Sequence, residues 1–121
     1  MDYSSRSTLE VLEHHIKYLA EGNLEKVLLD YNEDSFIINM GGVVNGNEAI
    51  RAFFKDSIEN ALPPDTDQTF TVKHVHGELA YIIWNAKSRF CSIPFGTDTF
   101  VVKNGHILMQ SFAGIIEEAK K

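Results

Sequence analysis

The chain has 121 residues, 44% of them hydrophobic, and a formal net charge of −6 at pH 7. This length suits a single domain, residues 1–121, that buries roughly two-thirds of its unfolded surface without a metal ion or a disulfide. The acidic balance argues against a nucleic-acid partner, and the apolar runs are too short to cross a membrane.

Two helices are predicted in the first quarter of the chain. Ser7 and Glu10 have the spacing of a capping box at the start of the first helix, and Gly22 is a natural stop for it. His15 lies on the flank of the predicted buried stripe, whereas His14 is expected nearer to water. The stripe itself is Leu9, Leu12, Ile16 and Leu19.

A second helix, one strand and a third helix follow. The second helix is predicted from Leu24 to Tyr31, and the β-branched stretch 35–40 predicts a strand. Two glycines at 41–42 then permit a sharp bend. Asn47 is placed to cap the third helix, which should end near Asn60 because two prolines follow.

From Thr66 onward the apolar residues alternate with a period of two, which predicts four strands. A turn falls within Arg89–Ile93, and Pro94 is expected at the start of the strand that follows. Asn104-Gly105 is a strong hairpin signal, and residues 114–121 are expected to form a charged tail. The four strands are predicted at 66–76, 79–88, 97–103 and 106–112.

The element order α-α-β-α-β-β-β-β predicts an α+β fold, with three helices on one face of a curved antiparallel sheet. Within that order, five segments resemble the nuclear transport factor 2-like superfamily, specifically its SnoaL-like and ketosteroid-isomerase-like bacterial branch. The resemblance implies a cystatin-like cone, in which the sheet wraps the three helices and leaves an apolar cavity open at one end. It also implies a homodimer through the outer face of the sheet. The five segments are 14–24, 31–35, 46–51, 80–84 and 97–107.

The resemblance also assigns candidate site residues. In ketosteroid isomerases a tyrosine on the first helix and an acid on a late strand stabilise the enolate, and an aspartate on the first strand moves the proton. The resemblance puts His15 at the tyrosine position, Asp98 at the late acid and Asn39 at the general base. Asparagine cannot accept and return a proton near neutral pH. The related epoxide-hydrolase arrangement needs two carboxylates and an arginine, for which only Asp98 and Arg89 are available.

The residues around Asp98 suggest how it would behave. Phe100 and Val102 share its strand face, so burial should raise the pKa of its carboxyl group. We therefore predict that His15 and Asp98 form a catalytic, proton-handling pair. The alternative is that these two side chains hydrogen-bond each other and close a polar gap in the core. Five residues are predicted to bind the substrate: Asn39, Phe53, Phe54, Trp84 and Phe100. For Trp84 and the Phe53–Phe54 pair, the alternative is that they are plain core.

No metal ion or cofactor is expected. His74 and His76 share a strand face and His106 could add a third ligand, but no cysteine or acidic cluster completes a set. The single cysteine, Cys91, cannot form an internal disulfide and favours a cytoplasmic location.

Two functions remain open. The first is a cofactor-independent enzyme of isomerase, cyclase, dehydratase or hydrolase type that acts on a small hydrophobic molecule. The second is a non-catalytic protein that binds a hydrophobic ligand. The asparagine at position 39 favours the second function, and the Asp98–His15 pair favours the first.

Overall fold

The computed structural model describes residues 2–119, which contain three α-helices and six strands after a 3-10 turn at Tyr3–Ser5. The helices are α1 (Thr8–Ala20), α2 (Leu24–Leu28) and α3 (Asn47–Asn60). The strands are β1 (Phe36–Asn39), β2 (Gly42–Asn45), β3 (Asp67–His76), β4 (Leu79–Lys87), β5 (Cys91–Lys103) and β6 (His106–Glu118). No helix in this part of the chain is long and apolar enough to span a membrane.

Helix α1 begins as predicted, but its buried face is turned from the predicted stripe. The Glu10 N–H donates to Ser7 Oγ at 3.1 Å and the Ser7 N–H donates to Glu10 Oε1 at 2.9 Å, which completes the capping box. Leu9 is 49% exposed, so the prediction that it belongs to the buried stripe was wrong. The fully buried residues of α1 are Val11, Leu12 and His15.

His14 was expected near water, but it belongs to a buried ionic cluster. Asp30 is fully buried. It accepts hydrogen bonds from Arg6 Nη1 at 2.7 Å and from His14 Nδ1 at 2.9 Å. Arg6 also donates from Nη2 to the Gly105 carbonyl at 2.7 Å. Because a buried carboxylate needs such partners, the cluster ties the start of the chain to α1, α2 and the β5–β6 turn.

Helix α2 is shorter than predicted because its end tightens. The backbone N–H groups of Leu29, Asp30 and Tyr31 each bond to the carbonyl three residues earlier. This spacing is that of a 3-10 turn, so the α-helix ends at Leu28 and not at Tyr31. The tight turn places the Tyr31 side chain in the core.

The region between α2 and α3 contains a hairpin where one strand was predicted. Strand β1 pairs antiparallel with β2, from Phe36 with Asn45 to Asn39 with Gly42. Gly42 at the bend has a φ of 141°, which favours glycine. Asn47 is the first residue of α3 and not its cap, since Gly46 occupies the N-cap position.

The sheet is mixed, which corrects the purely antiparallel prediction. The strand order is β2-β1-β6-β5-β4-β3. All neighbours are antiparallel except β1 and β6, which run parallel from Phe36 beside Met109 to Ile38 beside Ser111. The parallel pair arises because α3 and four strands separate β1 from β6 in sequence, so no hairpin sets their direction.

The last two strands are longer than predicted. Pro94 lies inside β5, at a register shift between Ser92 and Phe95, where its missing N–H interrupts no regular ladder. The turn before β5 is short, because Ser88 Oγ accepts hydrogen bonds from the backbone N–H groups of Phe90 and Cys91. Strand β6 continues to Glu118, through residues that were predicted to form a tail. The last two residues of that predicted tail, Lys120 and Lys121, lie outside the described residues. The predicted Asn104-Gly105 hairpin is confirmed, with φ of 50° and 71°.

The inner face of the sheet packs against the helices to form the core. Asp98 and its strand neighbours Phe100 and Val102 are buried, as their alternation predicts. The inward-facing residues of β4 are also buried: Ala80, Ile82, Trp84 and Ala86.

Candidate functional site

A cavity of about 360 Å³ lies between the inner face of the sheet and helices α1 and α3. Its buried wall carries four polar side chains: His15, Trp84, Asp98 and Gln110. Its aromatic lining is Phe53, Phe54, Phe70, Trp84 and Phe112. Partly or fully exposed polar residues lie nearer the mouth: Asn39, Asp56, Ser57 and Gln68. A mostly apolar space with a few convergent polar groups has the character of a small-molecule site.

Asp98 is a buried carboxyl group with a partner on each oxygen. Trp84 Nε1 donates to Oδ1 at 2.8 Å, and Gln110 Nε2 donates to Oδ2 at 2.8 Å. Burial raises the pKa of Asp98 to about 6, because a low-dielectric surrounding disfavours the anion, while the two hydrogen bonds lower it. Asp98 is therefore mainly ionised at pH 7, and its pKa is close enough to neutrality for proton transfer.

His15 is the second buried titratable group in the cavity wall. Burial lowers its pKa to about 4, because desolvation disfavours the imidazolium ion, so the ring is neutral at pH 7. Phe54 and Phe100 contact it edge-on, with ring centroids 5.8 and 5.4 Å away. Phe100 was predicted to bind the substrate, but it does not line the cavity. It is buried in the core, where it packs against His15.

Asp98 and His15 are linked through two residues that the sequence did not single out. Tyr31 Oη donates to Gln110 Oε1 in a short hydrogen bond and lies 3.5 Å from His15 Nδ1. Burial also raises the pKa of Tyr31, so its hydroxyl keeps its proton. Trp84, Asp98, Gln110, Tyr31 and His15 thus form one continuous chain, which we call the relay. A buried tyrosine hydroxyl normally needs a partner, and that rule could have pointed to Tyr31.

Trp84 and the paired phenylalanines form part of the cavity wall. The Trp84 indole stacks on Phe112, with ring centroids 5.8 Å apart and planes 29° apart. A Cβ on Gly96 would lie 2.8 Å from the indole, so only glycine leaves room for this ring. Phe53 and Phe54 also line the cavity, edge to face with each other.

Asn39 lies at the cavity mouth, where its side chain is already engaged. Its Oδ1 accepts hydrogen bonds from the N–H groups of Gly41 at 2.8 Å and Gly42 at 3.1 Å. These bonds close the β1–β2 turn, in the manner of an Asx turn. The amide nitrogen is therefore the polar atom that Asn39 can offer to a ligand.

An epoxide-hydrolase triad and a histidine metal site, both weighed as alternatives from the sequence, are not formed among residues 2–119. Arg89 is exposed and lies 3.7 Å from Asp65, away from the cavity, so it does not join Asp98 as an epoxide-hydrolase triad would require. His74 and His76 are exposed on β3. Within residues 2–119, no three His, Cys, Asp or Glu side chains lie close enough together to hold a metal ion.

The sequence matches no protein-family model and no curated protein, but the fold is similar to those of solved structures. SalBIII, an epoxide hydrolase/cyclase-like enzyme in pyran ring formation in the polyether salinomycin, aligns with a TM-score of 0.78 at 16% identity, over 92% of this chain and 95% of that chain. A candidate SnoaL-like polyketide cyclase from Shewanella denitrificans aligns with a TM-score of 0.73 at 18% identity, over 89% and 90%. A candidate ketosteroid isomerase from Kribbella flavida gives a TM-score of 0.75 at 16% identity, over 94% and 80%.

These similarities confirm the predicted fold. The chain has the α+β cone fold of nuclear transport factor 2-like proteins, with SnoaL-like and ketosteroid-isomerase-like proteins among its structural neighbours. One fold can carry many reactions, so the chemistry of a cone-fold protein depends on the side chains of its cavity.

Proposed function

We propose that this cone-fold protein is a cofactor-independent enzyme that applies acid–base chemistry to a small hydrophobic, carbonyl-containing or cyclic molecule. The reaction would be of isomerase, cyclase, dehydratase or hydrolase type. The observation that carries the proposal is the buried Asp98 in the wall of a largely apolar cavity, joined to His15 by the relay. Buried titratable groups with shifted pKa values, gathered in one cavity, are typical of active sites.

In this proposal Asp98 is the general base. Its pKa of about 6 leaves it ionised at pH 7, yet basic enough to take a proton from a bound substrate. Trp84 and Gln110 hold the carboxylate in place from both sides. His15 is the second proton-handling group, and the aromatic lining, including Phe53 and Phe54, would hold the apolar body of the substrate.

The structural neighbours favour chemistry of this kind. SalBIII is described as acting in pyran ring formation, and the Shewanella and Kribbella proteins are named as a candidate cyclase and a candidate isomerase. Cyclisation and isomerisation can both proceed by moving protons with side chains alone. From these neighbours we take only the class of reaction, proton transfer by side chains, and no particular substrate.

A non-catalytic binding protein is the second candidate. Both oxygens of Asp98 already accept a hydrogen bond, and Asn39 uses its Oδ1 in a turn. These contacts satisfy buried polar atoms, which a fold requires whether or not it catalyses a reaction. The cavity would then serve only to hold a hydrophobic ligand.

The proposal also includes a homodimer through the outer sheet face, a cytoplasmic location and no nucleic-acid or membrane partner. The outer face carries apolar side chains, among them Tyr81 at 41% and Ile38 at 44% exposure. The lone cysteine, Cys91, favours a reducing compartment, and its thiol is buried, 3.5 Å from the Ala61 carbonyl.

The test compares the wild-type protein with Asp98→Asn, which keeps the shape of the side chain and removes its basicity. Small neutral enones, epoxy alcohols and hydroxy ketones are incubated with each protein, and conversion is followed by NMR. Binding is followed by calorimetry. We expect Asp98→Asn to lower turnover by roughly 10²- to 10⁴-fold while ligand binding stays measurable. The exposed Asp67→Asn is the matched control and should leave both unchanged.

Equal turnover by wild type and Asp98→Asn would remove Asp98 from catalysis. Binding of these compounds without any conversion would favour the non-catalytic candidate.

A further inference from the structure

On the side of Asp98 that leads to His15, the hydrogen bonds of the relay all donate toward Asp98, because its carboxylate is ionised. An ionised carboxylate only accepts hydrogen bonds, so the Gln110 atom 2.8 Å from it is the amide nitrogen. The amide oxygen of Gln110 then faces Tyr31 and accepts its hydroxyl proton. Because a tyrosine hydroxyl has one proton, Tyr31 Oη has only lone pairs left to offer His15.

This direction fixes which nitrogen of His15 carries the proton. The His15 ring is neutral at pH 7, so one nitrogen is a donor and the other an acceptor. Nδ1 lies 3.5 Å from Tyr31 Oη, a long contact in which the oxygen can only accept. Nδ1 therefore carries the proton. Nε2, which hydrogen-bonds no protein group among residues 2–119, keeps a free lone pair beside the cavity.

We infer that Tyr31 and Gln110 are positioning residues that hold His15 in its Nδ1–H tautomer, and that the cavity consequently takes a neutral hydroxyl compound, an alcohol or phenol, as its ligand. Both proton-handling groups, Asp98 and His15, then present acceptors to the cavity, and a ligand hydroxyl supplies the missing donor. This inference deepens the proposed function, because it rests on the same two groups and narrows the substrate.

The remaining polar groups agree with this ligand class. The single N–H of Trp84 is taken by Asp98, so it cannot stabilise an oxyanion of the ligand. On the buried wall only the second amide hydrogen of Gln110 is left as a donor. The described residues that line the cavity include Asp98 and Asp56 but no lysine or arginine, which disfavours an anionic ligand. An aromatic lining suits the apolar part of an alcohol or phenol.

The tautomer is tested first, on the ligand-free protein at pH 7.5. Histidine labelled with ¹⁵N in both ring positions is incorporated, and multiple-bond ¹H–¹⁵N spectra distinguish protonated from unprotonated ring nitrogens. The His15 signals are assigned by their loss in His15→Gln. We expect a protonated Nδ1 and an unprotonated Nε2. Tyr31→Phe removes the oxygen that accepts the His15 Nδ1–H, so the preference of His15 for the Nδ1–H tautomer should be lost. The control Tyr18→Phe changes a partly exposed tyrosine of α1 and should leave the tautomer unchanged.

The ligand class is tested with 2-naphthol and 2-methoxynaphthalene, which differ in whether the oxygen carries a proton. Calorimetry at pH 7.5 should give about tenfold tighter binding of 2-naphthol to the wild type, the scale of one hydrogen bond to an ionised group. The ratio should fall toward one in Asp98→Asn. It should fall at least in part in Tyr31→Phe and stay unchanged in Tyr18→Phe.

The outcomes separate this inference from the proposed function. A wild-type His15 protonated at Nε2 would overturn the positioning role of Tyr31 and Gln110. Equal binding of the two probes, or binding of neither, would overturn the hydroxyl ligand class. Neither result depends on turnover, so a protein that binds 2-naphthol selectively but converts no substrate would fail the enzyme proposal and still support this inference.

Discussion

Asp98 and His15 line one cavity, and burial shifts their pKa values in opposite directions. The pKa of Asp98 is raised from 3.8 to about 6, and that of His15 is lowered from 6.5 to about 4. In each case burial favours the neutral form of the side chain. The two shifts cover nearly the same pH range, and this has a measurable effect on stability.

The two residues should oppose each other in the pH dependence of unfolding. Between about pH 4 and 6 the folded state holds the Asp98 proton more tightly than the unfolded state, so the Asp98 contribution to stability is lost as pH rises. His15 does the reverse: its contribution is complete above pH 6.5 and is lost as pH falls toward 4. Each shift corresponds to about 3 kcal/mol, so in the wild type the two largely cancel.

Single substitutions should reveal the separate pH dependence that Asp98 and His15 each give to the free energy of unfolding. Relative to wild type, the free energy of unfolding of Asp98→Asn should rise between pH 4.5 and 6.5, and that of His15→Gln should fall. Urea unfolding followed by circular dichroism at several pH values in this range measures both. Taking the difference from wild type cancels the titration of the other groups. Parallel pH profiles for all three proteins would mean that neither residue is buried as described.

Gly96→Ala should displace the Trp84 indole. The added Cβ would lie 2.8 Å from two indole carbons, closer than such atoms approach, and Trp84 is stacked on Phe112 and bonded to Asp98. Overpacking of this kind costs roughly 1–3 kcal/mol. Trp84 is the only tryptophan, so its emission spectrum reports the displacement directly. Unchanged stability together with unchanged emission would contradict this packing.

Much of the fold could be predicted because its signals are local. The capping box at Ser7, the Asn104-Gly105 turn and the alternation around Asp98 each depend on a few neighbouring residues, and all three are confirmed. The parallel pairing of β1 with β6 could not be predicted, because it joins Ile38 to Ser111 across most of the chain.

The candidate site was predicted only in part, for the same reason. Burial of Asp98 and Trp84 followed from strand alternation, but the connection from Asp98 to His15 depends on two distant residues. Gln110 lies in an apolar stretch of β6, and Tyr31 was predicted only as the last residue of a longer helix. Their hydrogen bond spans 79 residues of sequence, so no local pattern contains it.

Asn39 should matter for stability through its turn. Asn39→Ala removes the acceptor for two backbone N–H groups and should cost roughly 1–2 kcal/mol, the range for lost side-chain to backbone bonds. Asn39→Asp keeps an acceptor at the same place and should cost less. Thermal unfolding of the two variants beside wild type measures the difference. If the alanine variant is as stable as the aspartate variant, the turn does not depend on this side chain.

Ser111→Arg should separate the proposed homodimer. The outer sheet face has a row of four neighbouring residues on four strands: Tyr81, Thr99, Ser111 and Ile38. Ser111, on β6, lies between Thr99 of β5 and Ile38 of β1. A charged side chain there would lose its hydration at a dimer interface, whereas a monomer could leave it in water. Sedimentation at micromolar concentration should show a dimer for wild type and a 13.7 kDa monomer for the variant. A monomeric wild type would reject the dimer.

The β1–β6 pairing has a consequence for how the chain folds during synthesis. Strand β1 has two neighbours in the sheet, β2 and β6, and β6 starts only at His106. Until that strand leaves the ribosome, the β1–β2 hairpin is an isolated pair with an unsatisfied edge, and such pairs are marginal in water. Until then the apolar side chains of α1 and α3 would remain incompletely packed in a partly collapsed state, which is prone to aggregation. We therefore expect a ribosome-bound chain stalled before His106 to be sensitive to protease and to bind chaperones, and release of β6 to bring protection in one step.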